Sequence, residues 1–144
     1  MTFKNSILFV MMLCLTACGF QLKKTEFTID FSHIEPENER IQFVNLANTI
    51  GIQHNANAKF KVSNLKIEPK LVSIQNTGNK WRQYDYTASW DLKTLEKDHT
   101  IVSHESINIP SNQSPYQTQI ISEQLNGLRI QLLKNTRSYL NAIK

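Results

Sequence analysis

The stretch Lys80–Leu92, KWRQYDYTASWDL, decides the fold of this chain. Its apolar side chains recur at every second position, at Tyr84, Tyr86, Ala88, Trp90 and Leu92. Polar side chains fill most of the alternate positions, so a strand here has one packed face and one face in water. The stretch therefore predicts a sheet that is covered on one side only.

Two other segments alternate in the same way. Ile101 to Ile109 follows the charged turn Glu96–Asp98, and this arrangement predicts a hairpin with the first strand. Near the N-terminus, Phe27, Ile29 and Phe31 alternate with polar residues and predict another strand.

The segment that precedes the central strand is also expected to be extended. It runs from Lys59 to Ile74 and ends at Asn76–Asn79, which is a strong turn signal. The apolar phase slips at Ser63–Asn64, which predicts a bulge. Proline cannot donate to a ladder, so Pro69 predicts a sheet edge or a strand end.

Two amphipathic helices are expected. Apolar residues recur at helical spacing through Glu39–Ile50, Gly51 fits a helix C-terminal position, and His54–Asn57 is interpreted as a loop. Ser114–Gln117 resembles a capping box at the start of a long C-terminal helix. The apolar stripe of that helix comprises Ile121, Leu125, Leu128, Leu132, Thr136, Tyr139 and Ile143. The basic residues expected to favour its negative end are Arg129, Lys134, Arg137 and Lys144.

A helix face and a one-sided sheet must cover each other. The predicted fold class is therefore an α/β two-layer sandwich, with a sheet of about four strands packed by two helices in the order β-α-β-β-β-α. Residues 18–144 suit one domain with its own core.

The N-terminus predicts a lipid anchor. Lys4 precedes an apolar run at Ile7–Leu15, long enough for a signal peptide and too short to span a bilayer. Leu15-Thr16-Ala17-Cys18 then resembles a bacterial lipobox, so residues 1–17 would be removed and Cys18 would carry acyl chains, as diacylglycerol and palmitate. The other interpretation is an ordinary secretory signal followed by an incidental cysteine. Gly19, where Asp would signal inner-membrane retention, favours the periplasmic side of the outer membrane.

Composition narrows the function. The net charge of +4 is too small for a dedicated nucleic-acid binder but suits an anionic partner such as lipid phosphate. No P-loop, GxSxG or GxGxxG occurs, and no His, Cys or carboxylate set has metal-ligand spacing. Asp85 and Asp91 fit a solvated strand face better than an acid/base pair. We therefore expect no enzyme activity, no cofactor and no metal.

One basic cluster is the candidate binding site. Lys70, Lys80 and Arg82 flank a hairpin together with Trp81 and Tyr84. Basic groups beside aromatic rings can hold a phosphate and pack against acyl or sugar groups. The alternative is a solvated hairpin with a tryptophan at an interface.

The residues from Cys18 onward resemble the family of the outer-membrane lipopolysaccharide-assembly lipoprotein LptE. Cys18-Gly19-Phe20-Gln21-Leu22 is similar to the Cys-Gly-aromatic-x-Leu opening of that family. The bulged strand, the aromatic strand around Gln83-Tyr84, the return strand and a terminal helix holding Leu132-Leu133 follow in the same order.

The resemblance implies a two-layer sheet-and-helix fold and a role as a plug in the LptD β-barrel. The pair would insert lipopolysaccharide into the outer leaflet. Family members contact lipopolysaccharide through basic residues near the hairpin turn. Here Asn76 stands where others can carry Arg, and Lys80 and Arg82 would substitute for it. Trp81 and Tyr84 are the expected partner contacts.

Two other functions stay open on the sequence. One is an accessory lipoprotein of a lipid-trafficking transporter, exposed to the periplasm. The other is a small lipid-anchored periplasmic enzyme, which would need a polar cluster in a pocket. Co-purification with a large outer-membrane barrel would separate the plug from both.

Overall fold

The computed structural model describes residues 27–75, 81–110 and 117–143, which form five strands and two helices. In chain order these are β1 (Phe27–His33), α1 (Glu37–Thr49), β2 (Ile52–His54), β3 (Phe60–Gln75), β4 (Trp81–Lys93), β5 (Asp98–Pro110) and α2 (Gln117–Ala142). The strands make one sheet in the order β2-β1-β3-β4-β5. Both helices contribute to a single buried core against that sheet, so the predicted two-layer α/β sandwich is confirmed.

The central strand β4 has the two faces that its alternation predicts. Ala88, Trp90 and Leu92 are fully buried against the helices. We call this side the helix face of the sheet and the opposite side the outer face. The Trp90 ring lies 5.0 Å from Phe43 of α1 and 6.0 Å from Phe31 of β1, measured between ring centroids. Trp90 therefore ties the sheet to α1 at the centre of the core.

The buried indole is also hydrogen-bonded. Trp90 Nε1 donates to Thr136 Oγ1 of α2 at 3.0 Å. Thr136 Oγ1 in turn donates to the Leu132 carbonyl at 2.9 Å. Thr136 thus belongs to the apolar stripe of α2 because its hydroxyl satisfies the one polar group of the central tryptophan.

The fifth strand, β2, lies where the sequence suggested a loop at His54. Gly51 has a φ of 76°, a left-handed conformation that ends α1 and turns the chain back toward β1. Ile52 then pairs in parallel with Phe27 and is fully buried. Only Ile52 of the three residues is buried, and a strand this short is too brief for alternation along the sequence to reveal it.

The structure has the predicted bulge in β3. The register with β4 shifts between Ser63 and Lys66, and Asn64 has a φ of 55°. Asn64 Nδ2 donates to Asp91 Oδ2 at 2.8 Å, which holds the bulged residue against β4.

Pro69 lies inside β3, so the strand-end interpretation of this proline is wrong. The ladder between β1 and β3 ends at Ser63. Beyond that point, within the described residues, β3 pairs with β4 alone. Within the described residues Pro69 therefore lies on an edge strand, where sheets tolerate proline.

Helix α2 buries a wider stripe than predicted. Leu128, Leu132 and Thr136 are buried as expected, but Leu133 and Leu140 are buried too, and Ile143 is 48% exposed. The wider stripe arises because α2 packs against both the sheet and α1. The cap residues Ser114–Tyr116 lie outside the described residues.

The expected role of Arg129 near the negative end of α2 is wrong. Arg129 is 4% exposed and makes a two-pronged ion pair with Glu39 of α1. Arg137 donates to the Ile50 carbonyl at 2.6 Å instead. Both side chains therefore join α2 to the segment around α1, and neither compensates the dipole of its own helix.

Candidate functional site

The predicted basic and aromatic residues lie at the hairpin tip, the end of the sheet formed by residues 70–75 and 81–84. Lys80 and Asn76 lie outside the described residues. Directly paired residues of an antiparallel ladder share a face, and successive residues alternate. Arg82 and Tyr84 accordingly lie on the helix face, with Ala88 and Trp90.

Lys70 and Trp81 lie on the other side of the sheet. Lys70 pairs with Asp85 and Trp81 with Gln75, all on the outer face. The structure therefore divides the predicted cluster into two pairs. The alternation of β4 along the sequence already indicates that Trp81 and Arg82 lie on opposite faces. The face of Lys70 follows only from the register of β3 on β4.

On the helix face, the tip combines a cation with aromatic rings. Arg82 is exposed and pairs with Ile74 on one side and Ile109 on the other. The rings of Tyr84 and Tyr86 lie 6.2 Å apart. Burial, and secondarily the neighbouring Tyr84, raises the pKa of Tyr86, so its phenol is neutral in ordinary buffers.

The same face carries apolar side chains that the described helices leave uncovered. Leu71 is 47% exposed and Ile74 is 50% exposed, although both point to the helix side of the sheet. Val72, also 50% exposed, is the extra residue of a second register shift between Leu71 and Ser73. This patch was not predicted from the sequence. The signal was the run Leu71-Val72-Ser73-Ile74, which places apolar residues in both strand phases.

The outer face carries polar side chains that form hydrogen bonds with one another across the strands. Ser106 Oγ donates to Asp85 Oδ1 at 2.6 Å, and Thr100 Oγ1 donates to Asp91 Oδ1 at 2.8 Å. The hydrogen bonds from Asn64 and then Thr100 lower the pKa of Asp91 below its usual value. Each carboxylate is thus held by a neighbouring side chain on a solvated face.

A cleft of about 770 Å³ opens beside the β3 bulge. Lys61 and Lys93 sit directly opposite each other in the ladder at its wall, and His33 and Glu35 also line it. Like charges that face each other across a ladder are unfavourable unless a counter-charge is near. Buried Asp30 supplies one, with Oδ2 lying 4.0 Å from Lys61 Nζ and 3.9 Å from His33 Nε2.

Asp30 is held as an anion. Burial alone raises the pKa of its carboxyl, but the hydrogen bonds from the Ser32 side chain and the Ser32 amide, and then the charges of His33 and Lys61, outweigh that effect. The net result is a lowered pKa. The cleft therefore offers ammonium groups, an imidazole and the Glu35 carboxylate to a polar ligand, while the nearby Asp30 carboxylate is already engaged.

The histidines do not converge. The His99 ring packs on Tyr139 of α2 at 4.6 Å, whereas His104 lies on the opposite face near Thr87. His54 Nδ1 accepts from the Phe31 amide at 3.2 Å. Within residues 27–75, 81–110 and 117–143, no three His, Cys, Asp or Glu side chains are arranged to hold a metal ion. In the same part of the chain, neither helix has the length and hydropathy needed to cross a bilayer.

No model of a known protein family matches this chain, and no curated protein matches it by sequence. Among solved structures, the chain is similar to the crystal structure of a minor lipoprotein from Acinetobacter baumannii. The two share 11% sequence identity at a TM-score of 0.49, and the match covers 83% of this chain and 92% of that one. A likeness of this size does not indicate a function for this chain.

Proposed function

We propose that this protein is an outer-membrane lipoprotein of the LptE type, anchored by Cys18 on the periplasmic side. In this role it plugs and assists assembly of an LptD-like β-barrel and helps insert lipopolysaccharide into the outer leaflet. The work is binding, with no chemical turnover.

One observation carries the proposal. The lipobox tetrad ending at Cys18 leads, nine residues later, into the first strand of a two-layer sheet-and-helix domain. That combination is what the LptE resemblance of the sequence implies. The polar side chains of the outer face add support for the plug role, since the interior of a large membrane barrel is itself polar.

The hairpin tip supports a specific mode of lipopolysaccharide contact. On the helix face, the Arg82 guanidinium can form paired hydrogen bonds with a phosphate. Leu71 and Ile74, exposed beside it, offer apolar surface to acyl chains. Lys70, on the outer face opposite Asp85, is directed away from this group.

The first experiment tests the partner. The tagged, lipidated protein would be purified from gently solubilised outer membrane, and the proteins that accompany it would be identified by mass spectrometry. We expect a large β-barrel in stoichiometric amount. Recovery of inner-membrane transporter subunits instead would support an accessory lipoprotein of a lipid-trafficking transporter and refute the plug.

The second experiment tests the ligand. Arg82→Glu should weaken capture of purified lipopolysaccharide about tenfold or more, since it replaces a phosphate-binding cation by a repelling anion. Lys70→Glu is the matched control, with the same charge reversal on the opposite face. Equal losses in the two variants would show a diffuse charge effect. No loss in either would leave the tip as a solvated hairpin.

A further inference from the structure

The turn between β4 and β5 presents an unusually exposed leucine. Leu95 is 80% exposed, the highest value among the large apolar side chains of the described residues. Two hydrogen bonds of Thr94 hold the conformation of this turn. Thr94 Oγ1 donates to the Lys97 carbonyl at 2.7 Å and accepts from the Lys97 amide at 3.2 Å. These two hydrogen bonds keep the turn in a conformation that leaves Leu95 in solvent, where its side chain is available to enter an apolar layer.

This turn lies at the end of the sheet where the chain enters the domain. β1 runs parallel to β3, and Ile29 pairs with Phe60, so β1 begins two residues before the start of β3. β4 ends at Lys93, opposite Lys61. We call this end, comprising Phe27, Lys61 and the turn Lys93–Asp98, the anchor end. It is opposite the hairpin tip.

The covalent distance to Cys18 is short. Phe27 lies nine positions after Cys18, and a chain of that length reaches at most roughly 30 Å. A lipid attached at Cys18 would therefore keep the anchor end close to the membrane surface. This step rests on the lipid anchor of the proposed function.

Lysines at the anchor end lie on both sides of the leucine. Lys93 and Lys97 flank the leucine, and neither makes an ion pair within 4.0 Å with another described residue. Asp30 already engages Lys61, and Glu96 and Asp98 balance the two lysines of the turn. Between the anchor and β1 the sequence adds Lys23-Lys24 and one acid, Glu26, so the excess positive charge comes from that stretch. An apolar side chain between lysines can enter the headgroup layer while the ammonium groups stay at the phosphates.

We infer that the anchor end docks on an anionic phospholipid surface, with Leu95 inserted among the headgroups and Lys93 and Lys97 on the lipid phosphates. Docking sets the orientation of the domain. The hairpin tip then lies at the end of the sheet farthest from the anchor.

The test places a reporter at each end of the sheet. Leu95→Cys and, as the matched control, Val72→Cys would each be labelled with bimane in the lipidated protein. The proteins would be reconstituted in phosphatidylcholine vesicles with and without phosphatidylglycerol. We expect the label at position 95 to shift to the blue and to be quenched several-fold more than the label at 72 by a lipid with a headgroup nitroxide. Adding Lys93→Glu and Lys97→Glu should bring its quenching close to that at 72.

Two outcomes overturn the inference. Equal quenching at positions 95 and 72 would show that the anchor end does not touch lipid. Strong quenching at 95 that ignores both phosphatidylglycerol and the lysine reversals would remove the charged part of the docking surface. The parent protein tests the anchor separately, because a lipidated Cys18 has no free thiol. Bimane uptake by the parent would refute the lipid anchor and leave the docking result to be judged apart from it.

Discussion

Removing the buried ion pair between the two helices should destabilise the domain in a way that a matched surface change does not. Arg129 Nε and Nη2 donate to the two Glu39 carboxylate oxygens at 3.0 and 2.7 Å. The Arg129 side chain is only 5% exposed, and Glu39 is 20% exposed. Glu39→Ala leaves a buried guanidinium whose other partner is Asn126 at 3.0 Å. Because breaking a buried pair costs about 3–5 kcal/mol and Glu39 keeps some contact with water, we expect about 3 kcal/mol.

Glu37→Ala is the control, because Glu37 also lies in the first turn of α1 and pairs with an arginine. Both substitutions lose the favourable interaction of an acid with the helix dipole, so their difference isolates the ion pair. Glu37 is 74% exposed, and a surface pair contributes roughly 0–1 kcal/mol. Urea unfolding followed by tryptophan fluorescence measures both free energies of unfolding.

Equal costs for the two alanine variants would refute the reasoning, because Glu39 would then behave as a surface residue. A double variant adds a second check. Glu39→Leu with Arg129→Met removes both charges and keeps apolar volume, so it should recover most of the loss. A double variant as unstable as Glu39→Ala would show that packing at this point, and not the unpaired charge, sets the cost.

Three further predictions follow from the core, the outer face and the N-terminus. Trp90→Asp puts a charge in the fully buried centre of the core and should prevent folding, as measured by circular dichroism. Trp81→Asp, at a half-buried position on the outer face, should leave a folded domain. A folded Trp90→Asp protein would contradict the assigned core. The lowered pKa of Asp91 in the folded state gives stability that is present above the usual value of 3.8 and is lost as pH falls through the lower folded value. In Asp91→Asn the urea midpoint should therefore fall less steeply than in the parent as the pH drops below about 4. A slope equal to that of the parent would argue against the hydrogen bonds to Asp91. Cys18→Ala should abolish labelling by radioactive palmitate, and labelling that persists would exclude the lipobox.

Local patterns predicted most of the sheet. The alternation in Lys80–Leu92 requires only that neighbouring side chains point to opposite sides, so it located β4 and its buried face without knowledge of any partner. The phase slip at Ser63–Asn64 located the bulge for the same reason. The sequence predicted an edge or a strand end at Pro69, because proline lacks a donor but does not indicate whether the strand stops or merely lacks a neighbour.

The arrangement of side chains at the candidate site was harder to predict from the sequence. Lys70 lies near Arg82 along the hairpin, yet the register of β3 on β4 puts them on opposite faces. A second register shift between Leu71 and Ser73 also precedes the exposed Ile74. Register depends on where two strands meet, and a change of one residue reverses every face assignment.

What the sequence by itself determined was four of the five strands, both helices, the packed face of β4 and the lipobox pattern, because each depends on residues a few positions apart. Only the tertiary structure decided which charges are buried and which ends of the sheet coincide. Glu39 and Arg129 are 90 positions apart, and their pairing exists because α1 and α2 cover the same sheet face. The Leu95 turn shares an end with Phe27 because β1 lies parallel to β3, a relation that no local pattern contains.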